Sequence, residues 1–126
     1  MSNFTDTDKF LKKLKIKKSS GIALLPDDVM KSRYAHMIEE VNEFQYSNNM
    51  SDIHGCVDAL IDVVYIALGT ANMLGLNEDQ WNECWDKVHA ANMSKELSLE
   101  TEGHKLGVKK PANFIAPDFA SVLGAE

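Results

Sequence analysis

The chain has 126 residues, a formal net charge of −6, 44% hydrophobic residues and 25% charged residues. These values are typical of one soluble globular domain with a single modest core. The negative charge argues against a protein that binds nucleic acid through a broad basic surface. The polar start, MSNFTDTDKF, lacks the apolar segment of a signal peptide, and acids interrupt the longest apolar run. We therefore expect a cytoplasmic protein without a membrane partner, in which Cys56 and Cys84 are reduced.

Apolar spacing and turn-forming segments predict four helices in chain order. SSG ends the first helix, SNNMSD separates the second from the third, and Gly75 is a candidate left-handed cap of the third. Asn77 and Gln80 have the spacing of a capping box at the start of the fourth. The predicted helices cover about Asp6 to Lys18, Pro26 or Asp27 to Tyr46, Ser51 or Asp52 to Leu74, and Asn77 to Lys95.

The remaining chain, from residue 96 to 126, has no helical period and is expected to be an extended tail anchored by Phe114, Ile115 and Phe119. No segment shows the period-two alternation of a strand. We therefore predict an all-α fold: an antiparallel bundle of about four helices with an extended C-terminal tail. It forms one domain, 1–126, with its core at about 26–95. The large apolar surface of the third helix predicts that a homodimer, or a tetramer built from two dimers, completes the core.

The second helix contains MIEEVNEF, an E-E-x-x-E pattern. At about 100° per residue, its acids share one arc with His36 and its large apolar residues share the opposite arc. The acids are Glu39, Glu40 and Glu43; the apolar residues are Met30, Tyr34, Met37, Ile38, Val41 and Phe44. Taken alone, such an acidic arc is also typical of a solvated helix face.

The third helix contains CVDALIDVVYIALGTA, which is apolar around almost its whole circumference and is therefore expected to be buried. Asp58 and Asp62 lie four residues apart on one face, near Tyr65. A carboxylate in a core is destabilising by several kcal/mol unless it is paired, protonated or metal-bound. Carboxylates that face each other across two packed helices favour a hard cation, Mg²⁺ or Mn²⁺.

Two other interpretations of the aspartates remain open. In the first, Asp58 and Asp62 are structural carboxylates, capped by N–H groups or paired with an arginine such as Arg33. In the second, the aspartates belong to a di-iron bundle. Such a site requires Glu-x-x-His pairs, whereas this chain has the reverse order, with His36 three residues before Glu39. Lysines near both ends of the chain, in KFLKKLKIKK and at Lys105, Lys109 and Lys110, are either solvated or bind an anion.

The combined motifs resemble a known family. E-E-x-x-E followed by DALIDVVYIALGTANMLGL, WDKVHAANMSK and VKKPANFIAPDF is similar to the all-α nucleoside triphosphate pyrophosphohydrolases over about residues 30–122. This MazG-like group includes phosphoribosyl-ATP pyrophosphatase and the dimeric dUTPases. The resemblance implies metal-dependent hydrolysis of a nucleoside or deoxynucleoside triphosphate between the α- and β-phosphates, giving a monophosphate and pyrophosphate.

The resemblance also implies roles for single residues. Glu40, Glu43 and Asp62 become metal ligands, and Glu39 becomes a ligand or the group that orients the attacking water. The family signature continues as E-x-x-D, but Ala59 stands where the first acid belongs. Asp58, one place earlier, therefore binds metal directly, through water, or not at all. The implied substrate-binding residues are Asn92, Lys95, Tyr65 and Lys109.

Two non-enzymatic alternatives fit the same residues. A nucleotide sensor would keep the fold and bind nucleotide without turnover. A purely structural helical dimer would need neither metal nor nucleotide, and Asp62→Asn would then leave stability unchanged or raise it.

Overall fold

The computed structural model of the chain describes residues 2–98 and 107–124. Lys105, one of the lysines interpreted as either solvated or anion-binding, lies outside the described residues. The all-α prediction is confirmed, with four main helices and a tail that carries short strands and one helical turn. The elements are α1 (Asn3–Lys13), α2 (Asp27–Asn49), α3 (Ile53–Met73), α4 (Glu78–Met93), β1 (Glu96–Leu97), β2 (Val108–Lys109) and α5 (Ala120–Leu123). They form two compact units, Met1–Glu78 and Asp79–Glu126.

The first helix lies closer to the N-terminus than the sequence suggested. Ser2 caps it, because the Ser2 hydroxyl accepts the N–H of Thr5 at 3.1 Å while the Thr5 hydroxyl oxygen accepts the N–H of Ser2 at 3.1 Å. The helix ends at a Schellman motif, in which the N–H of Ile16 donates to the carbonyl of Leu11 at 3.0 Å. Lys15 takes the left-handed position, at φ 57°, where glycine is usual. The prediction that α1 continues to Lys18 was therefore wrong.

Helices α2 and α3 form an antiparallel hairpin joined by a short connection. Asp52 caps α3, because its side chain accepts the N–H of Gly55 at 3.0 Å. Gly55 also allows a close helix contact, since a Cβ there would lie 2.5 Å from the Ser47 hydroxyl oxygen. At the other end of α3, Gly75 adopts the predicted left-handed conformation, at φ 98°.

Arg33 links the hairpin near the start of α2. Its Nε donates to the Thr70 hydroxyl at 3.0 Å and its Nη2 donates to the carbonyl of Ile66 at 3.0 Å. Burial lowers the pKa of Arg33, but the guanidinium remains charged at neutral pH. Sequence reasoning left Arg33 undecided; the structure uses it to connect α2 to α3.

Helix α1 packs against α3 through a buried amide. Asn72 is 1% exposed. Its Nδ2 donates to the Thr7 hydroxyl at 2.8 Å, to the Leu68 carbonyl at 3.1 Å and to the Phe4 carbonyl at 3.3 Å. Phe4, Thr7 and Leu11 are buried on the face of α1 that carries this contact. Apolar packing and a satisfied polar group thus hold α1 in one register on α3.

The prediction that α3 is buried on all sides was wrong for the single chain. Its C-terminal half is buried from Leu68 to Met73. Its N-terminal half leaves four apolar side chains 46–58% exposed: Val57, Leu60, Ile61 and Val64. We call these four residues the α3 apolar flank. Among the described residues, α3 alone has the length and apolar composition of a membrane span, a test that core helices of soluble proteins also pass.

The second unit consists of α4 and the described part of the tail. The strands β1 and β2 pair antiparallel, with Glu96 opposite Lys109 and Leu97 opposite Val108. The sequence had suggested an extended tail, but part of the tail forms this two-stranded sheet. Phe114 is half-buried, but Ile115 is 82% exposed and does not act as the expected anchor. Cys84 of α4 and Cys56 of α3 are free thiols, as predicted, although both are only half-buried.

Candidate metal centre

Three carboxylates meet between α2 and α3. Glu40 and Glu43 come from α2 and Asp62 from α3, and one carboxylate oxygen of each lies within 4.8 Å of those of the other two. Glu40 and Glu43 share a helix face because they are three residues apart. The antiparallel packing of the hairpin supplies Asp62 from the opposite helix. The structure thus brings together three residues that the sequence analysis had named as metal ligands.

Glu40 is largely shielded from solvent within this cluster. Its side chain is 12% exposed, and its Oε2 is buried without a hydrogen-bond partner among the described residues. Its Oε1 lies 3.9 Å from Nε2 of His36, one helical turn earlier. A buried acceptor without a partner is uncommon in folded proteins and calls for a specific explanation.

The pKa of Glu40 is a second sign that this carboxylate lacks a partner within the described part of the chain. Burial raises the pKa of Glu40 from 4.5 to about 7. Protonated Glu40 can donate a hydrogen bond to the Glu43 carboxylate, and this bond and the negative charges of Glu43, Asp62 and Glu39 raise the pKa further. A large part of Glu40 is therefore uncharged at neutral pH unless a positive charge joins the cluster.

The donor set fits a hard divalent cation. A cation bound by Glu40, Glu43 and Asp62 would give the buried oxygen a partner and offset the mutual repulsion of the carboxylates. All three donors are carboxylate oxygens, which suit Mg²⁺ and Mn²⁺; neither a cysteine nor a histidine belongs to this close group among the described residues.

The other two predicted acids lie outside the close group. Glu39 is exposed on α2, and its charge contributes to the raised pKa of its neighbour Glu40. Asp58 is exposed on α3, one turn before Asp62, and is not within the three-carboxylate cluster. Ala59, by contrast, is 1% exposed. The position at which the family signature carries its acid therefore faces inward in this chain but holds a methyl group.

Tyr65 lies one turn beyond Asp62 on α3. Its side chain is 37% exposed and its ring meets the ring of Phe10 edge to face, with the centroids 5.6 Å apart. The hydroxyl of an exposed tyrosine in this position is accessible to a ligand.

The predicted substrate-binding residues of the second unit fall at the end of α4 and in the tail. Nζ of Lys95 donates to Oδ1 of Asn92 at 3.0 Å and lies 5.9 Å from the ring centroid of Phe114. Nζ of Lys110 lies 5.1 Å from the same centroid, whereas the predicted Lys109 is an exposed residue of β2. Lys110 was not among the predicted substrate-binding residues, because a cation–π contact produces no spacing pattern in the sequence.

The comparison with known proteins agrees with this site. The sequence profile of the phosphoribosyl-ATP pyrophosphohydrolase family matches residues 8–92, which include all three carboxylates of the cluster. No curated protein matches the chain. The family comprises soluble, typically metal-dependent enzymes, and it confirms the resemblance to the MazG-like superfamily. The chain belongs to the phosphoribosyl-ATP pyrophosphohydrolase family, and this membership implies that it is a pyrophosphohydrolase acting on a nucleotide.

Proposed function

We propose that this protein hydrolyses a nucleoside or deoxynucleoside triphosphate to the monophosphate and pyrophosphate, with Mg²⁺ or Mn²⁺ held by Glu40, Glu43 and Asp62. The observation that carries the proposal is the buried Oε2 of Glu40, which has no hydrogen-bond partner in the part of the chain that the structure describes and lies within a group of three carboxylates. Such a group is stable at neutral pH with a divalent cation, and divalent cations of this type commonly bridge to substrate phosphates.

The bound cation would neutralise phosphate charge and lower the pKa of a water molecule near the α-phosphorus. The protein residues have separate tasks. Glu40, Glu43 and Asp62 would hold the cation through their carboxylate oxygens. Glu39, exposed next to Glu40 and free of the close cluster, accepts a proton from the attacking water. Asp58 contributes through a water molecule, because it lies on the exposed side of α3.

The remaining residues that the family resemblance implies, from both units, would bind the substrate. The ammonium groups of Lys95 and Lys109 neutralise the departing pyrophosphate, with Asn92 holding Lys95 through the bond at 3.0 Å. The hydroxyl of Tyr65, on the same helix as Asp62, donates a hydrogen bond to the substrate. These contacts contribute binding energy at the phosphates, where charge develops during cleavage.

The protein would act in the cytoplasm as a homodimer, or as a tetramer of two dimers. The residues of the α3 apolar flank are 46–58% exposed, and Tyr34, Ile38 and Val41 of α2 are 41–65% exposed. Soluble monomers rarely leave large contiguous apolar surfaces in water, so a second copy of the chain is the proposed cover. Light scattering of the purified protein tests this, and a strictly monomeric mass would contradict it.

The family match favours a second substrate, phosphoribosyl-ATP. A panel with Mg²⁺ or Mn²⁺ separates the candidates: canonical, deoxy and damaged nucleoside triphosphates beside phosphoribosyl-ATP, with pyrophosphate and monophosphate both measured. Turnover of phosphoribosyl-ATP alone would replace the proposed substrate class.

Matched variants connect any turnover to the carboxylate cluster. Glu40→Gln and Asp62→Asn should abolish turnover while preserving the fold. Asp28→Asn, an exposed carboxylate at the start of α2, should leave turnover unchanged. Absence of turnover with every nucleotide, in folded protein supplied with metal, would contradict the enzymatic proposal. Nucleotide binding without turnover would instead support the sensor alternative.

A further inference from the structure

A pocket of about 310 Å³ lies where α1, α2 and α3 meet, next to the carboxylate cluster. Leu11, Leu14 and Ile16 supply apolar walls from α1 and the segment that follows it. Arg33, His36 and Tyr65 are also in its lining. All of these residues belong to the first unit, which also contains the three carboxylates.

The pocket and the cluster share a border. His36 lines the pocket, and its Nε2 lies 3.9 Å from Oε1 of Glu40 in the cluster. Tyr65 lines the pocket from α3, three residues after Asp62, and residues three apart share a helix face. A ligand with a charged end at the carboxylates therefore has an apolar recess within reach of its other end.

We propose that this pocket receives the nucleobase of the substrate whose phosphates lie at the carboxylate cluster; this inference rests on the proposed function. The volume is at the lower end of the range for small-molecule pockets, about 300–1,000 Å³. It suits a base rather than an entire nucleotide. Mostly apolar walls with a few polar groups are what a planar, partly polar ring requires.

The side chains around the pocket are suited to that occupant. Phe10, Leu14 and Tyr65 are 43%, 50% and 37% exposed, so a bound ring removes apolar surface from water. Arg33 uses Nε and Nη2 in its bonds to α3, which leaves the N–H groups of Nη1 as donors for a carbonyl oxygen of a base. Gly69 leaves space for the guanidinium of Arg33, because a Cβ at this position would lie 3.0 Å from Nη2 of Arg33.

Leu14→Ala enlarges the pocket without touching the carboxylates. We expect kcat/KM for the best triphosphate of the panel to fall about 5- to 20-fold, mainly through KM, because apolar contact with the base is lost. Inorganic tripolyphosphate has no base, so its inhibition constant should not change. Leu24→Ala is the matched control, since Leu24 is 82% exposed and lies outside the pocket. It should leave both quantities unchanged.

Gly69→Ala provides an independent variant that narrows the pocket. The added methyl group would lie 3.0 Å from Nη2 of Arg33, so the guanidinium must move by a few tenths of an ångström, and circular dichroism checks that the fold persists. KM for the triphosphate should again rise while inhibition by tripolyphosphate stays the same. An unchanged KM in both variants, or a parallel change for tripolyphosphate, would overturn the assignment of the base to this pocket.

A binding measurement keeps this test separate from the proposed function. Calorimetric titration of the full chain with the four canonical deoxynucleoside monophosphates, in Mg²⁺, needs no turnover. The pocket is supported if at least one monophosphate binds and Leu14→Ala weakens its affinity about 5-fold or more, while Leu24→Ala does not. This result supports the pocket even where hydrolysis fails. Turnover by the wild-type protein with equal monophosphate affinity in all three proteins overturns the pocket and leaves the proposed function intact.

Discussion

Replacing Asn72 with alanine should loosen the attachment of α1 to α3. The side-chain amide of Asn72 is 1% exposed and donates to Thr7 and Phe4 of α1, at 2.8 and 3.3 Å, as well as to Leu68 of its own helix. Each hydrogen bond contributes about 1 kcal/mol net, and the two bonds between the helices carry most of the effect. Removal of the buried amide also leaves a small cavity. We expect the free energy of unfolding to fall by about 2–3 kcal/mol.

Urea unfolding followed by circular dichroism measures this loss, with the midpoint shifting and the slope unchanged if the native state stays compact. Asn42→Ala, an exposed amide on α2, is the matched control and should change the free energy of unfolding by less than about 0.5 kcal/mol. Combining Asn72→Ala with Thr7→Val should reveal a coupling energy of about 1 kcal/mol, because the two side chains share one bond. A loss no larger than that of Asn42→Ala, or additive effects of the two substitutions, would refute this account of the α1 contact.

Three further outcomes are expected. Glu40→Gln should raise the melting temperature of the metal-free protein, because it removes repulsion within the cluster. We expect Mg²⁺ to stabilise the wild type by about 2.7 kcal/mol at 100 times the dissociation constant, and Glu40→Gln to abolish this stabilisation. A metal-dependent shift in melting temperature that survives the substitution would contradict the proposed centre. Hydrogen bonds from Lys18 and Lys12 lower the pKa of Asp8 below 3.8, so its stabilising effect is present above pH 3.8 and lost as the pH falls through the lowered value. Asp8→Asn should therefore destabilise by on the order of 1 kcal/mol or less near neutral pH and by progressively less in acid, and a pH-independent difference would argue against this pairing. Gly75→Ala should lower the free energy of unfolding by about 2 kcal/mol or more, since its φ is 98° and a Cβ would lie 2.4 Å from the carbonyl oxygen of Gly21, whereas Gly21→Ala meets open space and should have little effect.

Local signals predicted the ends of α3 well. Asp52 as a cap and Gly75 in the left-handed conformation were visible in the sequence, because both act within a few residues. The end of α1 was not visible, since Lys15 adopts a conformation that glycine normally occupies. A sequence pattern does not reveal that a Schellman motif stabilises a lysine there.

The site was predictable where helix spacing decides and not where packing decides. Spacing within α2 grouped Glu40 with Glu43, and the family motif added Asp62, all of which the structure brings together. Spacing did not show that α2 turns Arg33 as well as Glu40 toward α3 and leaves Tyr34 exposed, because the relative rotation of two helices depends on their mutual packing. The same limit applies to Asp58, which shares a face with Asp62 in the pattern but lies outside the close cluster.

The buried methyl group of Ala59 has an electrostatic consequence for catalysis. Three carboxylates around one divalent ion leave a single surplus negative charge, and an acid at this inward-facing position would add another. A triphosphate carries several negative charges of its own, and repulsion between like charges grows steeply where water is scarce. With the proposed cation and substrate bound, alanine at this position would present a less repellent surface to the polyanion and would leave more of the positive charge of the cation to act on the phosphates.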